Sequence, residues 1–161
     1  MDTTFLELKL EHAFDVRVDF TPDRRISEPL PDGDRQGYTP VAGGVLLGPR
    51  LKGRVVPHSG ADYARFRADG VIELNAHYLW ETDDGAMIYI YNRGYIRVGE
   101  NDPGEPRVNA QGLVQPRYFR FTPTFKAPAG PHEWLNSTVF VGAAERRKDP
   151  DHTLFRYYAV L

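Results

Sequence analysis

Apolar residues recur at every second position along much of the chain. Phe14, Val16, Val18 and Phe20 alternate with Asp15, Arg17 and Asp19, and Leu6, Leu8 and Leu10 alternate with Glu7, Lys9 and Glu11. Residues two apart share one face of an extended strand, so each run predicts a half-buried β-strand. Further strands are predicted over residues 71–80, 86–98, 117–125, 134–141 and 154–161. Turn signals stand between them at Asp69-Gly70, Asp83-Asp84-Gly85 and Ala127-Pro128-Ala129-Gly130-Pro131. Only residues 60–68 leave room for a short helix. Residues 21–40 and 101–111, rich in Pro, Gly and charge, read as loops, the first a candidate lid over one mouth of a barrel.

Residues 41–56 carry Gly43-Gly44, Gly48-Pro49 and Gly53 within a run of Val and Leu. Glycines at such intervals suit bulges where a sheet coils into a barrel. A phosphate loop would need a following Gly-Lys-Ser/Thr and a helix, and neither is there. Short strands with Gly and Pro turns fit a sandwich or a barrel. Glycines inside the strand patterns favour the barrel: an all-β, single antiparallel barrel of the lipocalin or calycin kind, residues 1–161 forming one domain around an internal small-molecule pocket.

Composition narrows the function classes. With 161 residues, 41% hydrophobic and 26% charged, the chain has globular proportions. Apolar runs such as Val45-Leu46-Leu47 fall far short of the ~18 residues of a spanning helix, so no membrane role is expected. The first residues carry neither a basic nor an apolar leader region, and cysteine is absent, so a cytoplasmic protein without thiol chemistry is expected. The net charge is −2, and Arg146-Arg147-Lys148 is flanked by Glu145 and Asp149, so nucleic acid is not an expected partner.

Chemistry can sit on several residues. In residues 72–81 one face carries Ile72, Leu74, Ala76, Tyr78 and Trp80; the other carries Glu73, Asn75, His77, Leu79 and Glu81. The second face is either wet or, in a ligand-binding barrel, turned into the lumen with Asn75 and His77. Arg120 shares a face with Tyr118 and Thr122, and its planar fork suits a carboxylate or phenolate. Trp134 and Asn136 share another face. Asp62 and the turn pair Asp83-Asp84 are the acidic candidates, though a turn carboxylate usually caps its own backbone. Histidines 12, 58, 77, 132 and 152 show no paired metal spacing; a site from His58, His77 and one carboxylate is the lesser alternative, and no metal is expected.

The ordered set Gly43-Gly44, Gly48-Pro49, Gly53-Arg54-Val55-Val56-Pro57 and Gly60-Ala61-Asp62 resembles the opening of a bacterial and fungal family, domain of unknown function 3237, also called uncharacterised protein family 0311. Asp69-Gly70, Thr82-Asp83-Asp84-Gly85-Ala86, Tyr118-Phe119-Arg120 and Trp134-Leu135-Asn136 resemble its later motifs, and the resemblance spans residues 38–161. It implies a compact lipocalin-like barrel and a small-molecule role without a settled reaction or catalytic residue set. Two departures stand out. The family's turn tends to Pro-Gly-Gly where this chain has Pro57-His58-Ser59-Gly60, and Asn75 and His77 stand where the family often has Asp and Arg.

The resulting expectation is an enzyme without an organic cofactor, an isomerase, hydratase, dehydratase or retro-aldol lyase acting on a small aromatic or carbonyl metabolite. His77, Asp62 and Asp84 are the catalytic candidates, since a His–carboxylate couple transfers protons near neutral pH. Arg120, Asn136, Asn75, His58, Tyr78, Trp80, Tyr118 and Trp134 are the ligand-binding candidates. A ligand carrier without turnover and a homo-oligomeric module joined by aromatic strand ends remain the alternatives.

Overall fold

A computed structural model describes residue 3, residues 6–98 and residues 107–161. Eight staves close into an antiparallel barrel. In order around the wall they are β1 (Leu10–Phe20), β13 (His152–Val160), β12 (Phe140–Arg147), β11 (Tyr118–Lys126), β8 (Met87–Arg97), β7 (Val71–Thr82), an interrupted stave and β3 (Arg35–Leu47), which pairs back to β1. The interrupted stave is made of β4 (Gly53–Val55), β5 (Ala61–Asp62) and β6 (Arg65–Phe66), each bridging β3 and β7. The short β2 (Arg25–Ile26) extends the edge of β3, and β9 (Arg107–Val108) pairs with β10 (Val114–Gln115) as a separate hairpin. No helix among the described residues is long and apolar enough to cross a membrane.

The period-2 pattern decides what faces inward. Phe14, Val16 and Val18 of β1, Tyr78 and Trp80 of β7, Ile88 and Ile90 of β8, Phe119, Phe121 and Phe125 of β11, and Phe155 and Tyr157 of β13 fill the interior. At one end the filling is dense. Phe14 stands edge-on to Trp80 at 5.7 Å and tilted against Tyr157 at 4.9 Å, and Phe125 meets Phe140 at 5.2 Å. A 3-10 helix (Glu133–Ser137) plugs this end, burying Leu135 and laying Trp134 between Phe14 and Phe140 with Arg50 stacked 3.7 Å above its ring.

Coiling into a barrel needs close strand approach. A Cβ on Gly44, whose φ is +150°, would collide with the carbonyl of Arg17, and the β1–β3 register shifts between Asp19 and Phe20. Only glycine meets both the angle and the space.

Four element assignments differ from the alternation. Leu6 and Leu8 are exposed and lie outside β1, because β13 ends at Val160 and offers them no partner wall. Residues 134–141 are not one strand: the plug takes Glu133–Ser137 and β12 starts at Phe140. Residues 60–68 form β5 and β6 rather than a helix, and the expected loop 21–40 contains β2 and the start of β3. Most of the expected loop 101–111 lies outside the described residues.

Candidate functional site

The end opposite the plug is hollow. A cavity of about 330 Å³ opens there, between Val18 and Phe20 of β1, Ile96 of β8, Phe119 of β11 and Phe155 of β13. This is the lower end of the volume range of small-molecule sites, which are mostly apolar with a few placed polar groups.

Cross-strand register places those polar groups. Thr39 pairs with Asp62, Asp62 with Ala76, and Ala76 with Asn92. Paired residues share a face, so the four side chains form one transverse row on the inner wall. Two strand spacings put the Asp62 and Asn92 backbones roughly 10 Å apart. The methyl of Ala76 stands between them and leaves room for a ligand.

Asp62 sits among apolar neighbours. Burial pushes its carboxyl up to about 6, against the lowering effect of one hydrogen bond from the Asn75 N–H to its Oδ1 at 2.9 Å. Asn92 is 1% exposed, and neither its amide nitrogen nor its oxygen has a hydrogen-bond partner among the described residues. Such a buried amide costs about 1–3 kcal/mol per unsatisfied group. Tyr78 forms part of the cavity wall, its phenol held protonated well above the usual tyrosine range by burial. Behind it, in the packed part of the barrel, the Tyr157 hydroxyl and the Trp80 indole interact with the Tyr78 phenol. Asp62, Tyr78 and Asn92 therefore bring a carboxyl, a phenol and an amide to one space, with the amide left without a partner among the described residues.

Of the residues singled out in the sequence, Asp62 and Tyr78 line the cavity and Trp80 lies beneath it. The others do not converge there. His77 and Asn75 face outward, because the inward parity of β7 belongs to Leu74, Ala76, Tyr78 and Trp80. His77 is packed among Tyr63, Tyr89 and Tyr91 at centroid distances of 5.2, 6.2 and 5.9 Å. Arg120 and Tyr118 also point outward; the Arg120 guanidinium donates to the Phe119 carbonyl at 3.0 Å and lies 5.5 Å from the Tyr118 ring.

Asn75, Tyr118 and Arg120 border a broad hollow on the outside of the barrel, about 900 Å³. The lumen is the better site, since it holds the buried, unsatisfied polar groups and the raised carboxyl.

Asn136 binds the Ala127 backbone twice, accepting from its N–H at 2.8 Å and donating to its carbonyl at 2.9 Å, which fixes the approach to the plug. Trp134 belongs to that plug. His58 occupies an exposed turn with φ +57°. Asp84 sits at the closed end. It accepts from the Thr82 hydroxyl and lies 3.0 Å from the His132 ring, and these bonds hold its carboxyl down to about 2. Among the described residues no three His, Cys, Asp or Glu side chains gather as a metal site would require.

Asn92 escaped the sequence reading, yet a signal was present. In β8 the inward stripe runs Ile88, Ile90, Asn92, Gly94, Ile96, and one amide interrupts it.

The chain matches the family model described as "Protein of unknown function (DUF3237)" over residues 8–160. A UPF0311 protein of Clostridium acetobutylicum is 32% identical over 160 residues, covering 98% of each chain. The crystal structure of a beta-barrel-like protein of Acinetobacter baumannii AYE superposes with a TM-score of 0.80 at 27% identity, covering 96% of this chain and 97% of that one. The hydroalkoxylation enzyme phnH of Penicillium herquei is 36% identical over 59 residues, 37% of this chain and 38% of that one. A match over nearly the whole chain, on the same closed barrel, makes this protein a member of the DUF3237 family.

Proposed function

We propose that the lumen performs proton transfer on a small, largely apolar substrate bearing a hydroxyl or carbonyl group, with Asp62 as the general base. One observation carries the reading: a carboxyl raised to about 6 faces the unpartnered amide of Asn92 along one row of the inner wall. A group titrating near the working pH is poised both to take and to return a proton.

The steps balance without a further reactant. Asp62 takes the proton of a substrate hydroxyl, and the oxygen forms a C–O bond to the β-carbon of a conjugated carbonyl. The displaced electron pair moves to the carbonyl oxygen, where the Asn92 N–H, aided by the Tyr78 hydroxyl, stabilises the oxyanion. Protonated Asp62 then gives the proton to the α-carbon. Run backwards, the sequence is an elimination; with a proton on carbon as the one removed, it is an isomerisation. Retro-aldol cleavage uses the same base and oxyanion site. Similarity to a relative named as a hydroalkoxylation enzyme supports an addition of this kind.

The test is incubation with a panel of hydroxylated enones in D2O, followed by mass spectrometry. Wild type is expected to place deuterium on carbon in at least one product, and Asp62→Asn is expected to lose this by about 100-fold or more. An Asp62→Asn protein that turns over as fast as wild type would overturn the assignment. Binding without any deuterium transfer across the panel would make the barrel a carrier instead.

A further inference from the structure

The cavity is electrically lopsided. Its deep part holds one carboxylate, Asp62, while Arg24, Arg25 and Arg146 stand at its opening. Arg24 is neutralised by Asp151 at 2.6 Å and lies over the Phe20 ring. Arg25 and Arg146, both exposed, have no side-chain hydrogen bond or ion pair among the described residues. Most other arginines near the barrel are tied down: Arg54 to Glu81, Arg65 to Asp32 and Asp34, Arg156 to Asp15.

The two residues border the mouth from different walls. Arg25 comes from β2 beside β3, and Arg146 from β12, whose partner Thr153 also lines the cavity. Between mouth and floor the lining is apolar, with Phe119, Phe155 and Ile96 most prominent. From buried Asn92 and half-buried Ile96 of β8 to exposed Val98 just beyond its end, the lining residues mark the depth of the cavity.

We infer that the ligand is an amphipathic aromatic or polycyclic monoanion that enters neutral end first and leaves its carboxylate, sulfonate or phenolate between Arg25 and Arg146. This deepens the reading above and rests on the lumen being the ligand site. Both ends of the cavity impose the same orientation. The Asp62 carboxylate repels an anion from the floor, and the planar guanidiniums bind one at the rim through charge-assisted hydrogen bonds. The apolar middle accepts one or two rings, and the hydroxyl or carbonyl at the far end meets Asp62 and Asn92.

A matched pair of fluorescent probes tests this. 8-Anilinonaphthalene-1-sulfonate and N-phenyl-1-naphthylamine share their rings and differ by the sulfonate. Both are titrated against wild type, Arg25→Gln/Arg146→Gln, the outer-face control Arg93→Gln/Arg120→Gln, and Ala76→Phe, which blocks the lumen. In the mouth variant the sulfonate probe is expected to bind about tenfold or more weakly, with the neutral probe changed less than about twofold. Added salt should weaken the sulfonate probe in wild type and lose most of that effect in the mouth variant. An unchanged ratio of the two affinities in the mouth variant, or an equal loss in the outer-face control, overturns the inference while leaving the lumen as a site for neutral ligands. Neither probe binding, or Ala76→Phe leaving neutral-probe binding intact, removes the lumen as the site and the inference with it.

Discussion

Asp62 and Asn92 face each other along one transverse row of the barrel's inner wall, separated by the single methyl of Ala76. One is a carboxyl that resists ionisation because it is enclosed by apolar walls; the other is an amide without a hydrogen-bond partner among the described residues. Both are costs to the fold, and both become assets once a ligand hydroxyl or carbonyl fills the gap. Buried polar groups left unsatisfied by the protein are a common mark of a site held ready for a ligand.

The carboxyl makes stability depend on pH in a definite direction. The folded-state value near 6 lies above the ordinary 3.8, so ionised Asp62 destabilises the fold. The penalty is absent below about pH 4 and complete above about pH 6 to 7. Asp62→Asn is therefore expected to stabilise the protein by up to about 3 kcal/mol at pH 8, the equivalent of two pKa units, and by little at pH 4. Urea unfolding at the two pH values checks this; equal effects at both would refute it.

Activity should follow the same group with the opposite preference. A general base acts when ionised, so kcat/KM is expected to rise with pH to a plateau above about pH 6 to 7. An activity that instead falls through this range would assign Asp62 the acid role from the start.

Asn92→Leu replaces an unsatisfied amide by an apolar side chain of similar size. It should raise stability by about 1 kcal/mol and weaken binding of carbonyl-bearing ligands. Thermal unfolding beside a binding titration separates the two; destabilisation by more than about 1 kcal/mol would show that the amide is satisfied in solution by water that the fold needs.

The outer face should be silent in catalysis. Arg120→Ala is expected to change stability by less than about 0.5 kcal/mol, as an exposed residue whose guanidinium bonds its neighbour's carbonyl and lies beside the Tyr118 ring. His77→Ala should cost about 1 kcal/mol through lost packing against Tyr63, Tyr89 and Tyr91. Neither should alter turnover. A loss of turnover in His77→Ala with intact folding would move the active site to the outside of the barrel.

Much of this architecture was legible in the residues. The alternation in β1, β7 and β11 sorted the residues that share a face, the structure decided which face is inward, and Gly43-Gly44 marked where the wall coils. Asp62 stood out through its motif. His77, Asn75, Arg120 and Asn136 were drawn toward the site by their chemistry alone, although the parity of their own segments turns the first three outward. Trp134 and Asn136 misled for a different reason. Their apparent alternation is a short 3-10 helix of under two turns that plugs the barrel, and a five-residue segment is too short to separate the two periods.

What the sequence determined by itself was local: which residues of a strand share a face, where turns fall, and that glycine must stand where two backbones touch. These follow from φ/ψ preferences and from the two-residue repeat of the pleat, both properties of a few consecutive residues. The site is not local. Thr39, Asp62, Ala76 and Asn92 come from four segments, and they meet in one row only through the hydrogen-bond register of β3, β5, β7 and β8. A slip of one residue in any pairing would turn part of that row to solvent. Closure of β3 onto β1 holds the register, so the tertiary structure alone could bring a carboxyl and an amide to opposite sides of the same empty space.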